Sequence, residues 1–156
     1  MMPQRVRGFT LLELLVVMVL IGIVLSLAVT GLTAGPAQQA RQQASELLSL
    51  LIQLRDTAVD EGQEYGLSFD DHGYRLKAWQ DGQWLNRSDW RLPDGMWFRL
   101  ELEGQPLHLG RRGDEPQLLI LSSDEMSAFT LHYETAHGRW LSIYADGVND
   151  PVINEG

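Results

Sequence analysis

From Phe9 to Leu32 the chain runs for 24 residues with a single charge, Glu13. A helix of that length, at about 1.5 Å per residue, reaches roughly 36 Å, which exceeds the hydrocarbon core of a bilayer at about 30 Å. Arg5 and Arg7 precede it, and no acid stands among the first eight residues. That asymmetry predicts a cytoplasmic N-terminus and places everything after Leu32 across the membrane. Two of the 12 basic and one of the 21 acidic residues lie before Pro36, so the exported remainder carries ten bases against twenty acids, net −10. The 156 residues suit one domain beyond the anchor, and the lack of cysteine excludes disulfides and thiolate metal sites.

A cleaved secretory signal fits poorly. Its apolar region is usually 7–15 residues and ends in a small-x-small site, whereas Ala28-Val29-Thr30 and Thr33-Ala34-Gly35 are poor sites after a longer run. An ordinary anchor explains length and orientation but gives no reason for Glu13, since a carboxylate deep in lipid costs about 2.5–3.5 kcal/mol on insertion scales. Arg5-Val6-Arg7-Gly8-Phe9-Thr10-Leu11-Leu12-Glu13-Leu14 resembles the class III signal of type IV pilins and pseudopilins. The resemblance implies that a prepilin peptidase cuts between Gly8 and Phe9 and methylates the new Phe9 amine, leaving the apolar helix on the mature protein. It also implies that Glu13 of one subunit attracts the Phe9 amine of another during filament assembly. Two unit charges 4 Å apart attract by about 1 kcal/mol in water and about 4 at an effective dielectric of 20. That is enough to set register. Snorkelling alone is the blander account of Glu13, for which its side chain is short.

Beyond Gly35-Pro36 the chain turns polar while keeping helical period. Ala40, Ala44, Leu47, Leu51, Leu54 and Ala58 recur at spacings of four and three, predicting one buried face over residues 36–62. Leu48, Ile52 and Val59 are expected to widen that stripe, with Gln38, Gln39, Arg41, Gln42 and Gln43 on the wet side. Gly62 marks the end. Pro36 removes a helical donor and crowds the carbonyl of Leu32, so Gly35 and Pro36 are the expected helix break. The boundaries that follow are 1–8 leader, 9–35 transmembrane helix, 36–62 amphipathic continuation and 63–156 periplasmic head.

The head reads as antiparallel β. Alternating runs are Tyr65/Leu67/Phe69, Tyr74/Leu76/Ala78, Trp84-Leu85, Trp97–Leu102, Leu118–Leu121, Phe129–Tyr133 and Arg139–Tyr144. They are separated by Asp70–Gly73, Asp81-Gly82, Leu92–Gly95 and similar turns. Seven or eight strands are expected, the last two forming a closing hairpin. The fold class is therefore α+β, a long N-terminal helix packed on an antiparallel sheet or sandwich. The Leu-Pro-Asp-Gly turn, a later buried strand and Leu121–Phe129 resemble the H-type minor pseudopilins of type II secretion. Asp124 stands where that family usually has glycine.

Nothing in the head has the pattern of a catalytic site. His132, Glu134 and His137 read better as a strand and turn than as metal ligands, which normally number four in a structural site. Asp146–Asp150 lacks the spacing of a calcium-binding loop. No metal or cofactor is expected. Trp79, Trp84, Trp90, Trp97 and Trp140 read as core and edge packing, with one or two marking a subunit contact. The resemblance implies a minor pseudopilin at the tip of the secretion pseudopilus, in the inner membrane. Its partners would be the prepilin peptidase, the major pseudopilin and the other minor ones. The alternative is a minor pilin of a type IV pilus, in assembly or DNA uptake. A net −10 head without clustered Lys/Arg argues against nucleic acid, and a membrane-anchored enzyme or solute-binding module is a third class.

Overall fold

A computed structural model describes residues 11–30, 35–110, 113 and 115–155, and within the first helix the side chains of Leu11–Ile21. Two compact units meet in sequence at Gly35/Pro36.

The first unit contains helix α1, Leu11–Thr30. Its 20 residues reach about 30 Å along the axis. The apolar side chains from Leu11 to Ile21 are between 45% and 90% exposed. A helix apolar on all sides must be covered by lipid or by other helices. Among the described residues no helix is long and apolar enough to cross a membrane; the side chains of α1 beyond Ile21 lie outside them.

The second unit begins with α2, Pro36–Glu61. Proline suits its first position, where the missing N–H has no intrahelical partner to lose and φ is already helical. The helix ends on Gly62 at φ +63. Gln63 N donates to Ala58 O at 3.1 Å and Gly62 N to Val59 O at 3.4 Å, which satisfies two of the terminal carbonyls. The buried positions are Ala40, Ala44, Leu47, Leu51, Leu54 and Ala58, together with Arg55. The first six match the periodicity; Arg55 does not follow from it. Leu48 and Ile52 are only half-buried, and Val59 is 47% exposed, so the stripe is narrower than expected. Alanines at 40, 44 and 58 let the helix lie close to the sheets, and wholly burying Leu47 or Leu51 contributes about 1.5–3 kcal/mol each.

Nine strands follow among the described residues, more than the seven or eight expected. β1 (Tyr65–Asp70), β2 (Gly73–Gln80), β3 (Gln83–Arg91) and β6 (Leu118–Ile120) form one antiparallel sheet in the order β3-β2-β1-β6. β4 (Met96–Leu102), β5 (Gln105–Leu107), β7 (Phe129–Thr135), β8 (Gly138–Ala145) and β9 (Val152–Glu155) form the second, β5-β4-β7-β8-β9. The additional short strands are β5, which contains Pro106, and β9, which follows Pro151. β9 pairs with β8, so the hairpin of β7 and β8 does not close the sheet. Asp81 and Gly82, at φ 52 and 81, make the two-residue turn whose twist suits the β2–β3 hairpin. One core joins α2 to both sheets. Leu47, Leu51, Leu67, Phe69, Leu100, Leu131 and Ile143 are wholly buried in it.

Candidate functional site

Gly8 and Phe9 lie outside the described residues. Glu13 sits in the first turn of the described part of α1, exposed among exposed leucines and valines. A carboxylate near a helix N-terminus also interacts favourably with the helix dipole. Gly35 is an exposed non-helical residue with open space where a Cβ would project, and Pro36 is the first residue of α2.

The most specific polar construction in the head centres on Arg55, whose side chain is only 7% exposed. The periodic leucines hold this segment of α2 on the sheets and direct the guanidinium at two loops. From the β6–β7 loop it receives Asp124 Oδ1 at 3.1 Å and Asp124 O at 3.0 Å. From the β8–β9 loop it receives Val148 O at 2.8 Å and Asp150 Oδ1 at 3.1 Å. The carboxylates are themselves 64% and 71% exposed, so the charge is shared between interior and solvent. Asp124 adopts φ +70, the region that favours glycine. The glycine expected there from the resemblance would meet the same backbone demand, and the aspartate adds a partner for Arg55. A lone arginine in a leucine-rich stretch gave no signal of this in the sequence. A carboxylate at an expected glycine was the one available hint.

The two loops also touch directly. Met126 N donates to Gly147 O at 3.1 Å. Asp146 folds its own loop by accepting from Val148 N at 2.9 Å, Asn149 N at 2.8 Å and Asn149 Nδ2 at 2.7 Å. The Asn149 side chain first, then the two backbone N–H groups, hold its carboxyl at about 2. Asp146–Asp150 is therefore a self-bonded turn whose last member serves Arg55. Among the described residues no three His, Asp or Glu side chains are grouped as metal ligands.

On the solvent side of β4 and β7 lies a second polar cluster. His132 is 5% exposed, and its Nε2 meets Glu101 Oε1 at 3.1 Å while its buried Nδ1 has no partner among the described residues. Arg99 bridges Glu101 at 2.9 Å and Glu134 at 2.8 Å, and Trp97 donates to Glu134 at 3.2 Å. Burial is the largest influence on His132 and lowers its pKa; the Glu101 hydrogen bond and charge raise it, Arg99 and Arg139 lower it, and the balance lies below the ordinary value. At Glu134 burial raises the carboxyl, but the Arg99 hydrogen bond and charge, the Trp97 hydrogen bond and the nearby His132 together leave it lowered. His137 lies outside this network, its backbone N donating to Thr135 Oγ1 at 3.3 Å at the β7–β8 turn.

The histidine has a stability consequence with a definite sign. Its folded pKa lies below the ordinary value near 6.5, so the unfolded chain binds the extra proton first as pH falls. The contribution is complete above about pH 6.5 and is lost as pH descends from there towards the folded pKa. Urea midpoints between pH 7.5 and 5 fall for the native chain. In a His132→Gln variant that fall is reduced, and an undiminished slope removes His132 as its cause.

The tryptophans divide between packing and partial exposure. Trp90 stacks on Tyr74 at 5.0 Å and 18°, and Trp140 donates to Thr135 Oγ1 at 2.8 Å. Trp79, the most exposed at 40%, meets Trp84 edge-on at 5.1 Å.

Comparison with known proteins follows the same division of the chain. Residues 3–29 match the prokaryotic N-terminal methylation motif, and residues 43–147 match the family described as type II transport protein GspH. Type II secretion system protein H of Pseudomonas aeruginosa is 40% identical over 165 residues, covering 94% of this chain and 95% of that protein. The protein of that name from Aeromonas hydrophila is 35% identical, covering 84% and 82%. Among solved structures, the minor pseudopilin EPSH from the type II secretion system of Vibrio cholerae superposes with a TM-score of 0.67 at 21% identity, over 78% of this chain and 98% of that one. Escherichia coli GspH gives 0.63 at 20% identity, over 76% and 89%. At these identities the two structures establish the shared fold.

Proposed function

Because the chain belongs to the GspH family of type II transport proteins, we propose that it is a minor pseudopilin. It is a membrane-anchored, periplasm-facing structural subunit of the type II secretion pseudopilus and acts in protein export. One observation carries this reading: the methylation motif and the GspH match stand in one chain, in that order, and a relative at 40% identity spans nearly all of both. The relatives are secretion-system proteins by name, which favours secretion over a type IV pilus or DNA uptake. As a subunit of this kind the protein is a substrate of the peptidase and performs no catalysis itself.

In this reading residues 1–8 are a leader, and prepilin peptidase cuts between Gly8 and Phe9 and methylates the Phe9 amine. Residues 9–35 then anchor the protein in the inner membrane with the N-terminus cytoplasmic, and 63–156 form the periplasmic head. The exposed apolar surface of α1 supports the anchor, since water is a poor environment for it. Glu13 pairs with the Phe9 amine of a neighbour, which neutralises both charges at the membrane surface. Gly35 and Pro36 are the helix break between the anchoring helix and the amphipathic continuation at 36–62. The major pseudopilin and the other minor pseudopilins are the direct partners.

Mass spectrometry of the protein from secreting cells tests this. The expected N-terminus is N-methylated Phe9, and Glu13→Ala is processed equally but enters the filament fraction several-fold less. A retained Met1, cleavage after Ala34, or wild-type incorporation of the Glu13→Ala variant sinks the respective part.

A further inference from the structure

We propose that the groove between α2 and the edge strand β3 receives an arginine side chain from a neighbouring subunit of the filament. The inference rests on the pseudopilin reading above and adds a contact surface on the head. The groove has a volume of about 520 Å³. One wall is the face of α2 turned away from the core, Gln42, Ser45, Glu46 and Ser49; the other is formed by Tyr74 and Trp90. β3 forms one end of its sheet, so no strand among the described residues covers its outer side.

The chemistry of the two walls points to a flat cation. Partly exposed Trp90 stacks on buried Tyr74, 18° from parallel with centroids 5.0 Å apart, and its outer side is the aromatic face of the groove. Glu46 stands opposite on the helix, and Gln42 Nε2 donates to its Oε1 at 3.1 Å, which holds the carboxylate in place. None of the ion pairs among the described residues includes Glu46. Serines at 45 and 49 keep the helix wall low, leaving room for an inserted side chain. The Tyr133 hydroxyl is buried without a partner among the described residues, and both it and the Tyr74 hydroxyl sense the Glu46 charge. Burial first raises both phenols, followed by Glu46 at Tyr74 and by Tyr74 and then Glu46 at Tyr133, so they remain neutral and Glu46 is the charge a ligand meets. A guanidinium can stack on an aromatic face while its edge donates to a carboxylate, a combination an ammonium matches less well.

The source is a neighbouring subunit because, in the pseudopilin reading, the heads of one filament meet at high local concentration, and the groove lies on the head's outer surface. The exported part of this chain is net −10 by sequence, so a basic contact residue on the neighbour is also the electrostatically favoured choice.

Site-specific photocrosslinking in secreting cells tests the proposal, using p-benzoylphenylalanine placed at Ser49 of the full chain. The expected adduct is with another pseudopilin, mapped by mass spectrometry next to an arginine. Glu46→Lys is expected to lower its yield about tenfold, since like charges then face each other. The head's Tm and a second adduct from p-benzoylphenylalanine at Val17 in α1 remain unchanged. Val17 adducts without Ser49 adducts overturn the groove contact and leave the filament reading standing. So do a Ser49 adduct indifferent to Glu46→Lys, one mapped away from any arginine, and one formed with exported cargo. If neither position crosslinks to another subunit, the filament reading fails and the groove contact with it.

Discussion

Replacing Arg55 by methionine is expected to lower the unfolding free energy of the head by about 2–4 kcal/mol. Methionine preserves most of the buried stem, so the loss comes from the guanidinium. Two opposing effects must be compared. Removing a buried charge removes its desolvation cost, and exchanging an entire buried ion pair for apolar groups is often neutral. Here only the cation is removed. The carbonyls of Asp124 and Val148, which accept at 3.0 and 2.8 Å, remain where they are. A hydrogen bond from a charged donor contributes about 1.5–3 kcal/mol, so the two carbonyls dominate. The carboxylates of Asp124 and Asp150 are 64% and 71% exposed and behave as surface partners, adding at most about 1 kcal/mol each. Urea unfolding of the detergent-solubilised full chain, followed by tryptophan emission, measures the difference. A loss below about 1 kcal/mol would falsify the view that these carbonyls depend on Arg55.

Gly147→Ala is expected to have an effect of similar size through the backbone. Gly147 sits at φ +92, and a Cβ there would lie 2.8 Å from the Met126 carbonyl oxygen. Holding an L-residue at such a φ costs on the order of 1–2 kcal/mol. The contact is with main chain, so no side-chain rotation relieves it. Moving the loops apart lengthens the Met126 N–H to Gly147 O bond of 3.1 Å and draws Val148 away from Arg55. Together these give about 2–4 kcal/mol. Gly95, at φ +82 with nothing near the Cβ position, isolates the conformational part. Gly95→Ala should cost about 1–2 kcal/mol. Equal losses at 95 and 147 would show that the Met126 contact adds nothing.

The sequence made the helix face of the head legible because burial recurs with the helical period. Ala40, Ala44, Leu47, Leu51, Leu54 and Ala58 needed only that period. Edges were harder to read: Val59 shares the stripe's chemistry but lies about 100° round the helix from the wholly buried Ala58, on the flank of the stripe, and is 47% exposed. The long strands were visible through alternation and their turns. β5 and β9, with three and four residues, are too short to alternate convincingly, and each exists through pairing with a longer neighbour. Arg55 was hidden for a different reason. Its partners are 69 to 95 positions away, and two of its four acceptors are main-chain carbonyls, which no side-chain pattern encodes. The groove at Glu46 was equally hidden, since Trp90 joins α2 only after the sheet has formed. At the other end of the chain Gly8, Phe9 and Glu13 are close together in sequence, within the stretch 3–29 that matches the methylation motif.

The same long reach of Arg55 governs the order in which the head can mature. In a chain held by an N-terminal anchor and exported from there towards its C-terminus, α2 emerges well before Asp124, Val148 and Asp150. Until then the helix has no clasp, and its leucines have no completed sheet to lie on. The newly exported protein therefore passes through an interval in which a chaperone can hold it or a protease can remove it, and that interval closes only when its last strands emerge.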